Sequence, residues 1–236
     1  MHTETAIPAR YNGPPASGNG GYSCGVLAAH VQGSACVRLH VPPPLDTPLQ
    51  VRRTDDGGAA LYAGETLVGS AIPAALDIDI PAPPSAAEAE AAMDRFPCYE
   101  DLLFPTCYVC GPERPAHDGL ELFPGSVSDG GLFACVWHPK PDTLDGEQNI
   151  RPEILWSALD CPGYFAAMGD RLRPAVLGEL IGELHADVSA DQPLIVYAWP
   201  MGVEGRKFYA GTAIATVDGG LVASAKSTWI LLKTEA

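Results

Sequence analysis

A pattern that occurs twice along the chain constrains the fold most: one apolar helix-like stretch, followed by several strand-like stretches. The first copy opens at 19–31 (NGGYSCGVLAAHV), where small and apolar residues cover most of the helix circumference, as in a buried helix. The second copy opens with a predicted helix over 152–168. A sheet with one apolar face needs a cover, and one buried helix per sheet supplies it. The pattern therefore predicts an α+β fold in which antiparallel sheets each wrap round a central helix.

Strand-like segments follow both predicted helices, and turn residues divide them into pairs. Glycine-rich turns at 56–58, 128–131 and 218–220 predict three hairpins. The strands predicted from residue type and alternation are 35–41, 49–53, 59–63, 66–72, 119–123, 132–137, 175–188, 194–199, 206–217 and 221–232.

The clearest boundary in the chain is the segment 81–93 (PAPPSAAEAEAAM), where a proline cluster stops regular structure. The Ala/Glu run after the prolines predicts a short exposed helix. We therefore expect an N-terminal half at 1–80, a linker at 81–97 and a C-terminal half at 98–236. The N-terminal half is expected to be truncated, beginning at its helix without an opening hairpin.

Composition and charge exclude several classes of protein. Hydrophobic residues make up 47% of the chain and charged residues 18%, which is typical of a compact globular protein. No apolar run reaches the roughly 20 residues that span a membrane, and the first ten residues lack the features of a signal peptide. The net charge of -15 disfavours nucleic acid as a partner. We expect a cytoplasmic protein without membrane association, whose seven cysteines are thiols.

Two segments resemble a known family. Residues 11–21 (YNGPPASGNGG) resemble the segment before the central helix of hotdog-fold thioesterases, where Tyr/Phe-x-Gly-Pro-Pro precedes His-Gly-Gly. Asn19 stands where that family usually has histidine. Residues 107–112 (CYVCGP), followed by Gly-Leu at 119–120, look like the opening of many single-hotdog thioesterases.

The resemblance covers most of 11–72 and 107–232 and implies a double hotdog, two halves fused in one chain. Hotdog active sites lie between two subunits, each of which supplies one part. The C-terminal half has Arg151-Pro152-Glu153 in place of His-Gly-Gly, and Asp160 follows Arg151 by nine residues, where the family often carries a helix carboxylate. The activity that the resemblance implies is hydrolysis of an acyl-CoA or related acyl thioester.

Hydrolysis of a thioester needs a donor for the carbonyl oxygen and a group that attacks the carbon or orients water. The N–H groups of Gly20 and Gly21, at the positive end of a helix, suit the developing oxyanion, and Asn19 adds an amide donor. Asp160, in a largely apolar helix, is the best single catalytic candidate. Two simpler interpretations stay open: Asn19 is only a helix cap, and Asp160 is held by a structural hydrogen bond.

Charged residues are predicted to bind the rest of the substrate. Arg151 and Glu153, at the start of the second helix, are predicted substrate contacts, although Glu153 is also explained by the positive end of its helix. An anionic coenzyme A tail requires a basic patch in this acidic chain. The candidates for that patch, for which solvated surface charge is the simpler explanation, are Arg171, Arg173, Arg206 and Lys207.

The spacing of Cys107 and Cys110, with Cys98 before them and His117 after, is one that a zinc site can use. A single Cys-x-x-Cys is weak evidence, and the family resemblance explains it as a turn before a strand. We therefore expect neither a metal nor another cofactor.

Three functions are compatible with these observations. The first is an acyl-CoA thioesterase, and the second is a non-catalytic binder of an acyl ligand, favoured by the missing histidine. An enoyl-thioester hydratase ranks last, because no convincing Asp/His pair accompanies the helix. An exposed edge of the final strand suggests a homodimer.

Overall fold

The computed structural model describes residues 2–99, 104–127, 131–169 and 171–233. Within these ranges eleven strands form one antiparallel sheet, and four α-helices accompany it. None of those helices has the length and apolar character needed to cross a membrane. In chain order the elements are β1 (His2–Thr5), α1 (Gly20–Ala28), β2 (Ala35–Leu39), β3 (Leu49–Arg53), β4 (Ala59–Ala63), β5 (Thr66–Pro73), α2 (Ala86–Met93), β6 (Gly125–Val127), β7 (Leu132–Trp137), α3 (Pro152–Ala158), α4 (Cys161–Met168), β8 (Ala175–Leu184), β9 (Leu194–Glu204), β10 (Lys207–Thr216) and β11 (Leu221–Leu231).

The strand order separates the two parts of the chain. It runs β1-β3-β4-β5-β2-β8-β11-β10-β9-β7-β6, so that β1 to β5 lie on one side and β6 to β11 on the other. The two sets meet where β2 pairs with β8, with Ala35 opposite Gly182. The final strand, β11, lies between β8 and β10. Both edges of β11 are therefore paired within the chain, so the expectation that two chains pair through this strand is wrong. A homodimer stays a prediction.

Strand pairing differs from the expectation in two places. A strand, β1, precedes the first helix and pairs with β3, so the N-terminal half does not begin at its helix. The segment 119–123 is not a strand of the sheet, because the N–H groups of Leu120 and Leu122 donate to the carbonyls of Tyr108 and Val109 instead. β7 pairs with β6 in its place. The predicted turn at 128–131 lies mostly outside the described residues.

The linker contains a helix that is not fully exposed. In α2, Ser85 and Glu88 form a capping box, which explains why the helix begins after the proline cluster. Ala89 and Ala92 are fully buried in a cluster that includes residues of β7 and β9. The expectation of an exposed helix is therefore wrong for one of its faces.

The second long helix breaks into α3 and α4, contrary to the prediction of one helix over 152–168. The break is explained by Pro162, which lacks an N–H and clashes with the carbonyl four residues before it in a continuous helix. Asp160 adopts φ -80° and ψ -84° between the two helices. The break thus places Asp160 at a junction rather than on a regular helix face.

Glycines let α1 approach α3 closely. A β-carbon at Gly21 would lie 2.6 Å from Cβ of Asp160, and one at Gly25 would lie 2.6 Å from Cα of Glu153. The order of these contacts shows that the two helices run antiparallel. The first turn of α1 therefore lies directly against the α3–α4 junction.

Candidate active site

Asp160 is the centre of the candidate site. It is 2% exposed, and its Oδ2 accepts hydrogen bonds of 2.8 Å from both the Asn19 side-chain amide and the Gly21 N–H. Its other oxygen, Oδ1, is buried and has no hydrogen-bond partner among the described residues. A buried carboxylate oxygen without a partner is costly, and such atoms are frequent where a ligand or water binds.

Asn19 caps its helix and also contacts Asp160. Its Oδ1 accepts a 2.8 Å hydrogen bond from the Tyr22 N–H and so caps α1, while its Nδ2 donates to Asp160. Two of the three expected oxyanion donors, the Asn19 amide and the Gly21 N–H, therefore donate to Asp160 instead. In the described part of the chain the Gly20 N–H has no acceptor, and Gly20 belongs to the cavity wall.

The surroundings of Asp160 change its acidity. Burial raises the pKa of Asp160 to about 7, against the hydrogen bonds from Gly21 and Asn19, which lower it. A carboxyl group with such a pKa accepts a proton more readily than an exposed one. Perturbation of this kind, in a group that faces a cavity, is a frequent property of functional sites.

Asp160 and Gly20 line a cavity of about 530 Å³. This volume lies within the range of small-molecule sites, roughly 300 to 1,000 Å³. Both parts of the chain contribute, with residues from the 13–20 and 39–43 segments on one side and with Cys98 and residues from the 104–112, 160–165 and 175–178 segments on the other. Apolar side chains dominate the wall, among them Leu39, Val41, Phe104, Tyr164, Phe165, Leu177, Trp229 and Ile230.

Arg151 and Glu153 are not brought to this cavity. Arg151 Nη1 lies 2.8 Å from Glu153 Oε1, and its Nη2 donates a 3.0 Å hydrogen bond to the Tyr11 hydroxyl. Neither residue belongs to the described cavity wall. Their contacts account for them at the start of α3, and a substrate-binding role stays a prediction from the sequence.

Exposed basic residues lie close to the cavity on the β8–β11 side. Arg173 precedes Ala175, which lines the cavity, and its guanidinium lies 4.5 Å from the Phe208 ring centroid. The Arg206 guanidinium donates a 3.0 Å hydrogen bond to the Leu231 carbonyl, next to Ile230 of the cavity wall. Two members of the predicted basic patch are therefore neighbours of the cavity.

Three thiols meet beside Asp160. The Sγ atoms of Cys107, Cys110 and Cys161 all lie within 4.8 Å of one another, and those of Cys107 and Cys161 are 3.7 Å apart. Hydrogen bonds from the other two thiols lower the pKa of Cys107. Sequence reasoning identified the first two cysteines but not the third, since Cys161 follows Cys107 by 54 residues. His117, considered with them, does not belong to the group.

Comparison with solved structures shows what this fold is similar to. The tesB protein of Mycobacterium avium subsp. paratuberculosis aligns with a TM-score of 0.63 and 12% identity over 98% of this chain and 93% of that one. The acyl-CoA thioesterase II TesB2 of Mycobacterium marinum aligns with a TM-score of 0.64 and 12% identity over 99% and 94%. A hotdog-fold protein of unknown function from Alicyclobacillus acidocaldarius gives 0.63 and 14% over 99% and 94%.

No protein-family model matches the sequence, and no curated protein matches it. The chain thus has a hotdog fold, similar to that of these proteins over almost its whole length, as the resemblance implied. Fold alone does not establish an activity at this level of identity.

Proposed function

We propose that the chain is a double hotdog that hydrolyses acyl-CoA or a closely related acyl thioester. Residues 1–80 and 98–236 form the two halves in this proposal, and 81–97 connect them. The division of the sheet at the β2–β8 pair supports it. So does the cavity, whose wall comes from both sides of that division.

One observation carries the proposal: a buried carboxylate with one anchored oxygen and one free oxygen, beside an unpaired N–H at a helix start. Asn19 and Gly21 hold Oδ2 of Asp160, and Oδ1 has no partner among the described residues. A β-carbon at Gly20 would lie 3.3 Å from Oδ2, so the Gly20 backbone is adjacent to the carboxylate. The two halves of the chain thus supply an oxyanion donor and a carboxylate respectively.

In the proposed reaction the thioester carbonyl oxygen accepts a hydrogen bond from the Gly20 N–H. The positive end of α1 stabilises the negative charge that develops on this oxygen. Asp160 Oδ1 accepts a proton from water as the water oxygen bonds to the carbonyl carbon. The carbon–sulfur bond then breaks, the coenzyme A sulfur takes up the proton held by Asp160, and the carboxylic acid is released, which leaves Asp160 as the carboxylate again.

Direct attack by Asp160 Oδ1 on the carbonyl carbon is the other route from the same arrangement, through a mixed anhydride that water then opens. Single-turnover hydrolysis in H₂¹⁸O and rapidly quenched protein together separate the two routes. Label in Asp160 indicates an anhydride that water opens at the aspartyl carbon. Label in the released acid, with no acylated Asp160 in the quenched protein, indicates activated water.

The polarity of the surroundings indicates where the acyl group and the coenzyme A tail bind. The acyl group fits the apolar wall, whose aromatic residues include Phe165 and Trp229. The anionic coenzyme A tail fits Arg173 and Arg206, which are exposed in a chain of net charge -15. This arrangement keeps the phosphates in solvent and only the acyl thioester in the cavity.

The test is release of free thiol from short, medium, long and aromatic acyl-CoA thioesters by the wild type and Asp160→Asn. Asparagine preserves the size of the side chain and an oxygen for Gly21, so the variant is expected to fold. We expect turnover of one acyl class and a loss of about 100-fold or more in the variant. Equal turnover by the two proteins would remove Asp160 from the mechanism.

A non-catalytic acyl binder is the second candidate. It is favoured by the Asn19 amide and the Gly21 N–H, both of which donate to Asp160 rather than into the cavity. It predicts a thermal shift with acyl-CoA but no thiol release from any member of the panel.

A further inference from the structure

Cys107, Cys110 and Cys161 form a three-thiol cluster that takes no part in the proposed hydrolysis. The three side chains come from two distant segments and line the same cavity. The other cysteines, Cys24, Cys36, Cys98 and Cys135, do not belong to this group of ligand atoms in the described part of the chain. All seven are free of disulfides.

The spacing of the sulfur atoms matches metal coordination. Zinc–sulfur bonds are about 2.3 Å long, so sulfur atoms at the corners of a tetrahedron lie about 3.8 Å apart. The separation of Cys107 and Cys161 is 3.7 Å, and none of the three pairs exceeds 4.8 Å. A central ion therefore requires the thiols to move by about 1 Å or less, since their present separations are near those of the tetrahedron.

Backbone geometry brings the thiols together before any ion binds. The Gly111 N–H donates a 2.9 Å hydrogen bond to the Cys107 carbonyl, and this closes the Cys-x-x-Cys-Gly turn. A β-carbon at Gly111 would lie 2.5 Å from the Cys107 nitrogen and 2.5 Å from the Pro105 carbonyl oxygen, so the turn requires glycine. Cys161 is held at the first position of α4 by the helix break before Pro162.

We propose that Cys107, Cys110 and Cys161 bind one thiophilic divalent metal ion, Zn²⁺, with the fourth coordination position facing the cavity. Each thiol gives up its proton to solvent on binding, and no redox step is involved. The ion would tie the 104–122 loop to the α3–α4 junction. This site departs from the expectation of no metal, because the third ligand is visible only in the folded chain.

The site is tested with the full chain, purified under reducing conditions from cells grown with added zinc. We expect about one zinc ion per chain by mass spectrometry of the elements. Co²⁺ added to the metal-free protein should give a thiolate charge-transfer band and the visible bands of a tetrahedral complex. Cys107→Ala, Cys110→Ala and Cys161→Ala should each lose at least about 10-fold in affinity for Co²⁺. Cys135→Ala, which removes a buried thiol outside the cluster, should bind as the wild type does.

A wild-type protein that is reduced, holds no zinc and gives no cobalt–thiolate band would overturn the proposal. A Cys107–Cys161 disulfide would lower the intact mass by two hydrogens. If such a protein takes up no metal even after reduction, the proposal is also overturned. If the variants do not fold, alkylation of the wild type decides: Zn²⁺ should slow labelling of the three clustered thiols at least about fivefold relative to Cys36. Equal labelling with and without zinc would contradict the site.

Discussion

The starts of α1 and α3 are related by the repeated pattern of the chain, yet they differ in what they can do. At the start of α1, Asn19 caps the helix, the Gly20 N–H has no acceptor among the described residues, and Asp160 lies beside them at the cavity. At the start of α3, Arg151 makes no capping hydrogen bond and Pro152 has no N–H to offer. The side chain of Arg151 is engaged with neighbouring residues instead.

The difference extends to the carboxylate. Nine residues after Arg151 the chain has Asp160, but nine residues after Asn19 it has Ala28. In the proposed function each region thus supplies one part of the site: α1 supplies the donor, and the α3–α4 junction supplies the carboxylate. Because the two helices are antiparallel and in close contact, these parts meet once, at the start of α1. Two helix starts that occupy similar places in the pattern therefore give one complete candidate site among the described residues.

A substitution at the contact between α1 and α3 is expected to have the largest effect on turnover and stability. In Gly21→Ala the new methyl group would meet Asp160 and the Trp156 carbonyl, so α1 must move away from α3. We expect thioester turnover to fall about 100-fold and the free energy of unfolding to fall by about 1 to 3 kcal/mol. Turnover and urea unfolding measure the two effects. Gly146→Ala, where a β-carbon meets nothing within 4 Å, is the control and should change neither.

The two roles of Asn19 are separated by two substitutions. Asn19→Ser keeps a capping oxygen but removes the amide that holds Asp160, so kcat should fall about 10-fold, the equivalent of one hydrogen bond of about 1.4 kcal/mol. Asn19→Ala should lose about 1 kcal/mol of folding stability in addition. Unchanged kcat in the serine variant would mean that Asn19 is only a cap.

The basic residues near the cavity test whether the coenzyme A tail binds beside the α1 site. Arg173→Ala should raise KM for acyl-CoA about threefold without changing kcat, because an exposed charge pair contributes less than about 1 kcal/mol. The effect should disappear at high salt. Arg53→Ala, an exposed arginine on β3, is the control. An equal rise in KM for both variants would indicate a general charge effect.

The start of α3 should give the smallest effect. Arg151→Ala removes a partly exposed ion pair with Glu153 and a hydrogen bond to Tyr11. We expect turnover to stay within about twofold of the wild type and the free energy of unfolding to fall by about 1 kcal/mol or less. A loss of turnover as large as that of Asn19→Ser would mean that the start of α3 contributes to the site as much as the start of α1 does.

Sequence reasoning predicted the features that local pattern determines. The bounds of β3 and β4 agree with the prediction, because alternating residues and a glycine turn specify that hairpin. The sequence indicates Asp160 because a carboxylate in an apolar helix needs a partner or a catalytic role, and in the structure Asn19 and Gly21 donate hydrogen bonds to it. These are properties of residue type and spacing.

Tertiary contacts determine the rest. The break before Pro162 follows from a local rule, but the sequence does not show which helix the displaced Asp160 faces. Only the close packing at Gly21 directs the Gly21 N–H to Asp160 and away from a ligand. The approach of Cys161 to Cys107 likewise depends on the fold and not on spacing in the chain.

The most direct test of one complete site at the start of α1 is a crystal structure of Asp160→Asn with a non-hydrolysable thioether ketone analogue of acyl-CoA. The analogue's carbonyl oxygen should lie about 3 Å from the Gly20 nitrogen, with the acyl chain in the cavity and the phosphates near Arg173. An analogue bound at the start of α3, beside Arg151, would contradict the account.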